Sequence, residues 1–406
     1  MEGDAIDELL AVPGVRLGTV SAGVKTPGRK DLVLLEIADG ATCVGVFTQN
    51  AFCAAPVTVA KQRLNETGIS PRYLLVNTGN ANAGTGEAGI EAATACTAAV
   101  ADRARVLPAA VLPFSTGVIG EPLPVETICS AIPQVFEALS ENGWAEAAQG
   151  ILTTDTRPKG VSRTFSVNGE KFVVTGIAKG AGMIRPNMAT MLAFLATDVV
   201  VERHLLQDLL AQAVAMSFNR ITVDGDTSTN DACVLVATGE TGTPTIGDPE
   251  EPQYCALRDA LCEVCVALAQ ALIRDGEGAS KFVTIDVNGG YGEQECLDVA
   301  YTIAHSPLVK TALFAADPNW GRLLAAIGRA GVPELDVDRV DVFINNILIA
   351  QGGSRAATYT EELGEAAMAP QDITIRIELN RGESGATVWT TDFSYDYVRI
   401  NAEYRT

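Results

Sequence analysis

Lys179-Gly-Ala-Gly-Met-Ile-Arg-Pro-Asn-Met-Ala-Thr190-Met-Leu-Ala-Phe194 is the stretch on which the reading of this chain turns. It sets a threonine after a small alanine, with turn residues behind it and an apolar run ahead. Two readings are open from the residues alone. One is a turn (Ile-Arg-Pro-Asn) feeding an ordinary buried strand from Thr190 to Thr197. The other is a self-cleaving threonine. A cut between Ala189 and Thr190 yields two chains, 1–189 and 190–406, of 189 and 217 residues. The second chain then begins with a threonine that carries a hydroxyl nucleophile and a free α-amine. A hydroxyl needs a base to take its proton. The α-amine, with a reference pKa of about 7.7–8.0, is partly neutral near pH 7 and can serve as that base. Gly180 and Gly182 permit the close backbone approach that cleavage needs. Pro186 stiffens the approach to Asn187.

An amine base matters because the chain has only two histidines. His204 lies in a helical stretch, Val201-Glu-Arg-His-Leu-Leu. His305 precedes Ser-Pro. Neither sits in a nucleophile motif, and both read as surface or packing residues.

Composition narrows the class. The 406 residues are 47% hydrophobic, and the mean hydropathy is +0.18. That is enough apolar material for a large core and for two lobes. The net charge of −21 argues against a nucleic-acid partner, which needs a basic face. The nine cysteines have no disulfide-framework spacing, so reduced thiols and a cytoplasmic setting are expected. Cys262-x-x-Cys265 is the one close pair. It lies in a helical pattern from Cys255 to Ile273 with no second pair nearby, so core thiols are expected and no metal. The first residues are acidic, without a basic leader-like region. No apolar run reaches the roughly 18–20 residues of a membrane span.

Strand and helix patterns alternate along the chain. Leu32–Ile37, Ala41–Thr48, Tyr73–Asn77 and Val111–Phe114 read as strands. Glu87–Ala104 and Glu202–Asn219 carry helical periodicity. Val125–Leu139 does so too, despite Pro133. Phe165–Thr175 reads as a hairpin around an Asn-Gly turn. Gly242–Pro252 is an acidic Gly/Pro-rich loop. Ala232–Thr238, Phe282–Val287, Val340–Asn345, Ile373–Leu379 and Thr387–Thr391 are late strands, and Leu297–Ala304 is another short element. The mixture predicts an α/β protein with layered sheets.

Several further motifs carry possible chemistry. Gly84-Thr-Gly-Glu-Ala-Gly89 matches a dinucleotide fingerprint but lacks the acidic residue expected about 20 positions on. Ser115-Thr116-Gly117 ends a strand, where a backbone N–H and a hydroxyl can stabilise an oxyanion, or where the chain merely turns. Asp224, Asp226 and Asp231 resemble a hard-cation loop without its spacing, and read as solvated or loop-ordering. Glu277 stands between glycines after a helix, as a partner for a substrate ammonium or as part of a glycine stop.

Seven segments together resemble the ornithine acetyltransferases, also called glutamate N-acetyltransferases. They are Lys179–Leu192 as quoted, Asn77-Thr-Gly-Asn-Ala-Asn-Ala83, Ser115-Thr-Gly-Val-Ile-Gly120, Thr153-Thr-Asp-Thr156, Asp224-Gly-Asp-Thr-Ser-Thr-Asn-Asp231, Asp317-Pro-Asn-Trp-Gly-Arg322 and Asn401-Ala-Glu-Tyr-Arg-Thr406. The resemblance implies a layered α/β/β/α sandwich, cut between Ala189 and Thr190 into an α chain (1–189) and a β chain (190–406), with an α2β2 heterotetramer as the assembly. It implies that Thr190 takes the acetyl group of N-acetylornithine and passes it to glutamate in a ping-pong cycle. Thr116 and Gly117 then form the oxyanion hole. Lys179, Glu277, Asn401, Thr406 and either Thr153 or Thr154 contact substrate. No cofactor is implied, although acetyl-CoA is a possible co-substrate. A related self-processing amidohydrolase or aminopeptidase is the alternative activity.

Overall fold

Unbroken apolar runs set the early strands, and strict alternation sets the late ones. Leu192–Thr197 and Ala232–Ala237 are buried at every position, as strands covered on both faces must be. Phe282–Gly290 and Asp372–Glu378 alternate buried and part-exposed residues, as strands with one wetter face do. The computed structural model describes residues 8–66, 68–185 and 191–403. In chain order the strands are β1 (Val15–Val20), β2 (Leu32–Ile37), β3 (Thr42–Phe47), β4 (Tyr73–Asn80), β5 (Val111–Val118), β6 (Lys159–Val167), β7 (Glu170–Lys179), β8 (Leu192–Thr197), β9 (Ile221–Thr222), β10 (Ala232–Ala237), β11 (Phe282–Gly290), β12 (Asp341–Ile344), β13 (Ile347–Gln351), β14 (Ser354–Arg355), β15 (Asp372–Glu378) and β16 (Ser384–Thr391). The helices are α1 (Ala55–Asn65), α2 (Gly86–Ala104), α3 (Val125–Glu137), α4 (Trp144–Gly150), α5 (Arg203–Met216), α6 (Pro252–Arg274), α7 (Glu293–Ala304), α8 (Pro307–Phe314), α9 (Trp320–Gly328), α10 (Glu361–Met368) and α11 (Tyr395–Ala402).

The chain forms two compact units. The first comprises Met1–Gly180, Asn187–Asn219 and Asp226–Leu272; the second comprises Ala181–Pro186, Arg220–Gly225 and Ile273–Thr406. Each unit draws on sequence from both sides of Ala189.

Unit 1 is built on two sheets, ordered β1-β2-β4-β5 and β3-β10-β8-β7-β6. Their facing sides share one core. Leu17, Leu35, Val76 and Phe114 from the first sheet pack with Ile177, Phe194 and Val234 from the second. The Phe114 and Phe194 rings meet edge to face at 5.2 Å, a favoured aromatic geometry. Helices α2 and α3 cover the outer side of the first sheet through Val100, Ile128 and Ile132. On the second sheet, Gly176 of β7 leaves room for Val264 and Leu268 of α6. The layers are therefore helix, sheet, sheet, helix, which is the α/β/β/α sandwich expected. The Asn-Gly hairpin is present too: Asn168 and Gly169 have φ of 54° and 86° between the antiparallel strands β6 and β7.

Unit 2 has one sheet, ordered β14-β13-β12-β15-β11-β16-β9. Its apolar face (Val283, Ile285, Ile375, Val388) packs against Val299 and Ile303 of α7 and Leu323 of α9. The expected short element Leu297–Ala304 is the later part of α7, which starts earlier, at Glu293. The expected helix Glu202–Asn219 stops at Met216, where a 3-10 turn, Phe218–Arg220, follows. Among the described residues no helix is long and apolar enough to cross a membrane.

Candidate active site

In unit 1 the register of the five-stranded sheet brings the quoted motif to one place. Lys179 ends β7 and pairs with Leu192, the first residue of the antiparallel β8. Ala232 starts β10 and pairs with Leu192 from the other side, in parallel register. Lys179 and Leu192, which flank the segment expected to be cut, thus lie side by side in the sheet. Ala189 and Thr190 themselves lie outside the described residues, as does Thr406.

Lys179 is buried, and its Nζ donates to the Thr116 Oγ1 at 3.2 Å. The residue expected to bind substrate and a residue expected in the oxyanion hole therefore touch, although 63 positions separate them. Thr116 lies at the end of β5, which pairs in parallel with β4. Gly117 beside it has φ of 138°, and a Cβ there would run into the backbone of Gly79 and Asn80. Only glycine fits this close approach.

Polar residues from three other segments fix this corner. The Ser115 hydroxyl donates to Asn77 Oδ1 at 2.6 Å, and Asn77 Nδ2 donates to Asn80 O at 2.9 Å. Asn230 Nδ2 donates to Ser115 O at 2.9 Å and to Ala81 O at 2.6 Å. Asp155 accepts from the Gly180 N–H at 2.7 Å, the Thr153 N–H at 3.0 Å and Lys159 Nζ at 2.7 Å. Burial would push the Asp155 carboxyl up, but the charges of Lys159 and Lys179 and these hydrogen bonds outweigh it and hold it below the usual carboxylate range. Breaking such a buried pair from one side is strongly destabilising. Asp155 thus ties the Thr153-Thr154 segment to the end of β7.

Asp155, Lys159, Asn77 and Asn230 escaped sequence reasoning as individual residues. The Asp155/Lys159 spacing of four was a local signal that they could pair. The roles of Asn77 and Asn230 depend on strand register, which no local pattern gives.

In unit 2 the segment Ala181–Arg185 runs alongside Thr222–Asp224. Val223 N–H and Thr222 Oγ1 both donate to Ile184 O, each at 2.9 Å. The Asp224 carboxyl accepts from Met183 N–H at 2.6 Å, from Ile184 N–H at 3.0 Å and from Tyr397 Oη of α11 at 3.2 Å. Met183 has φ of 55°, an uncommon conformation that surrounding bonds must enforce. Glu277 is buried beyond the end of α6. Asn401 Nδ2 of α11 donates to its Oε2 at 2.8 Å, and Glu277 N–H donates to Ala181 O at 2.8 Å. A side chain at Gly182 would collide with the Glu277 carboxyl. Two expected substrate contacts, Glu277 and Asn401, are therefore bonded to each other.

The histidines behave as read. His204 is exposed beside Glu202. His305 is partly buried against Thr222 Oγ1 at 3.0 Å. Burial first, then the charges of Arg185, Lys310 and Arg329, push its pKa down to about 4. All nine cysteines are free thiols. Burial raises Cys233 and Cys265 above the normal thiol range, so they are core residues rather than reactive ones. Gly84-Thr85 leads into α2, and Gly86–Gly89 is the helix's first turn. Asp224 and Asp231 both order loops, as read.

This arrangement sets the Lys179 ammonium beside the Thr116 hydroxyl in a buried corner. A family model described as the ArgJ family matches residues 16–406. The chain is 60% identical over 395 residues to the arginine biosynthesis bifunctional protein ArgJ of Pseudomonas fluorescens (strain Pf0-1), covering 97% of each chain. It is 53% identical over 399 residues to the protein of that name from Psychrobacter arcticus, covering 98% of each. A solved chain of the arginine biosynthesis bifunctional protein ArgJ from Bacillus halodurans is 39% identical and matches 52% of this chain and 97% of its own, with a TM-score of 0.49. The chain belongs to the ArgJ family.

Proposed function

We propose that this chain is the acetyltransferase of arginine biosynthesis that moves the acetyl group of N2-acetylornithine to glutamate, and that it also acetylates glutamate from acetyl-CoA. One observation carries the reading: 60% identity across 97% of both chains with a protein named for arginine biosynthesis and bifunctionality. The buried Lys179–Thr116 pair supports it.

In this reading Thr190 Oγ attacks the Ala189 carbonyl carbon. The Ala189–Thr190 peptide bond breaks, the Thr190 nitrogen takes the proton, and water releases Ala189 from the resulting ester. The freed α-amine then serves as base. Thr190 Oγ attacks the acetyl carbonyl of N-acetylornithine, ornithine leaves as the amine, and an acetyl-threonine ester remains. The glutamate amine attacks that ester, N-acetylglutamate leaves, and the Thr190 hydroxyl is restored. Thr116 and Gly117 steady the oxyanion in each half. Lys179 takes the substrate carboxylate and Glu277 an ammonium. Asn401, Thr406 and one of Thr153 and Thr154 complete the substrate contacts. No cofactor and no metal take part. The cut chains assemble as an α2β2 heterotetramer in the cytoplasm.

The test is an assay of purified protein with N-acetylornithine and glutamate, and separately with acetyl-CoA and glutamate. N-Acetylglutamate in both supports the reading. Free acetate released without glutamate, faster than transfer, would favour a hydrolase of the self-processing kind. Turnover with N-acetylornithine alone would remove the second activity. Native mass of the active protein reads the assembly.

A further inference from the structure

Asp231 is the most telling group outside the expected catalytic set. It is 1% exposed and stands one residue before β10, as Met191 stands one residue before β8. These two strands are parallel neighbours in the middle of their sheet. Asp231 Oδ1 accepts the Met191 N–H at 3.0 Å, and the Ala232 N–H donates to Met191 O at 3.2 Å. Met191 is thus held at both of its peptide groups. The other carboxyl oxygen, Oδ2, is buried and has no hydrogen-bond partner among the described residues. The Ser228 hydroxyl and the Lys179 charge lie near enough to lower the pKa of the carboxyl. Burial, the largest cause, nevertheless raises it well above the usual range. Through Oδ1 the carboxyl fastens the strand at Met191. A half-satisfied buried acid calls for an explanation.

Covalent geometry supplies one. The Met191 amide nitrogen is bonded to the Thr190 carbonyl carbon, and a peptide unit is planar from one Cα to the next. A constraint on that N–H therefore acts on the peptide plane that links Met191 to Thr190. The preceding residue does the same for the other partner: Asn230 Nδ2 holds Ser115 O at 2.9 Å, the carbonyl of the peptide whose N–H belongs to Thr116.

We propose that Asp231 is a positioning residue for self-cleavage and acetyl transfer, acting through the Met191 amide, while its neighbour Asn230 orients the Ser115–Thr116 peptide. This rests on Thr190 being the nucleophile.

The experiment compares wild type, Asp231→Asn and Asp231→Leu in the full chain. Asparagine keeps an acceptor for the Met191 N–H; leucine keeps the size and removes the acceptor. Three quantities are followed: the rate of appearance of the 189- and 217-residue chains by intact mass, kcat and KM for acetyl transfer, and the thermal midpoint. A small displacement of a reacting group can cost about 10²-fold. The expected result for leucine is a loss of about that size in cleavage rate and in kcat, with KM little changed and the midpoint lowered by no more than the loss of one buried hydrogen bond. Asparagine is expected to restore both to within a few-fold, with the wild-type pH profile. Wild-type rates in Asp231→Leu overturn the proposal, and so does loss of activity in strict parallel with loss of fold in both variants. A folded Asp231→Asn that is as slow as leucine, or that shifts the pH profile, overturns it as well, because the proton and not the position would then matter. If leucine does not fold, the asparagine rate and pH profile decide alone. A wild-type chain that remains uncut defeats the Thr190 reading itself, which separates that failure from this one.

Discussion

Before Pro186, the backbone of Met183 and Ile184 gives both its N–H groups to one carboxyl, that of Asp224, which also accepts from Tyr397. After Thr190, the Met191 N–H donates to Asp231 Oδ1, and the second carboxyl oxygen is buried without a hydrogen-bond partner among the described residues. Both aspartates come from one polar loop, Asp224–Asp231, yet Asp224 serves unit 2 and Asp231 serves unit 1. The side before the expected cut is anchored by several bonds, including two to Ile184 O. The side after it gains its order from a central strand and is tuned by one acid. An anchor can be over-determined. A reacting end needs correct placement and a group free to respond. The contrast suggests that the loop works as a pair of clamps of unequal strength.

The largest effect on stability should follow loss of the stronger clamp. Asp224→Ala removes the acceptor of the Met183 N–H, the Ile184 N–H and Tyr397 Oη and should cost about 2–4 kcal/mol, since each hydrogen bond contributes about 0.5–1.5 kcal/mol net. Denaturant unfolding reads the loss, and limited proteolysis near residues 181–186 locates it. An equal loss from Asp231→Leu would erase the difference between the two clamps.

A second effect is pH-dependent, and its sign differs on the two sides. His305 is depressed to about 4 in the fold against an unfolded value near 6.5. The unfolded chain therefore binds the proton first, and the contribution of His305 is fully present above about 6.5 and lost as pH falls towards 4. The swing is on the order of 3 kcal/mol. Asp231 is raised, so its contribution is complete below about 3.9 and lost as pH rises through its folded value. The wild type should gain stability over His305→Gln as pH rises from 4 to 6.5. A difference that stays flat across that range would mean that the His305–Thr222 contact does not report on the anchor.

The smallest effect tests whether the anchor is redundant. Tyr397→Phe removes one bond to Asp224 and should cost about 0.5–1.5 kcal/mol, while cleavage proceeds at the wild-type rate. Slowed cleavage there would show that the anchor side, too, sets the reaction geometry.

What was legible in the sequence was what local rules determine. The Asn168-Gly169 turn needs two residues that tolerate positive φ, and the sequence shows them. The alanine-rich α2 and the apolar β8 and β10 follow from composition and run length. The short β9, only Ile221–Thr222, was not legible, because it exists through parallel pairing with Trp389 and Thr390 of β16, far away in the chain. The start of α7 was missed because its first turn, Glu293-Gln-Glu, is polar. At the candidate site, Thr116, Gly117, Lys179 and Glu277 were named from the segments that carry the family resemblance. The residues that hold them in place were not, because Asp155, Asn230 and Asp231 act through register and depth. A polar loop that reads as merely solvated can place two buried side chains at the ends of central strands, and only the fold reveals it.

The most direct measurement is intact mass with N-terminal sequencing of the purified wild type beside Thr190→Ala. The account predicts two chains of 189 and 217 residues for the wild type, the longer one starting at Thr190, and one uncut 42.5 kDa chain without transfer activity for the variant. A wild type that transfers acetyl groups while uncut, or a Thr190→Ala chain that still cleaves, would contradict it.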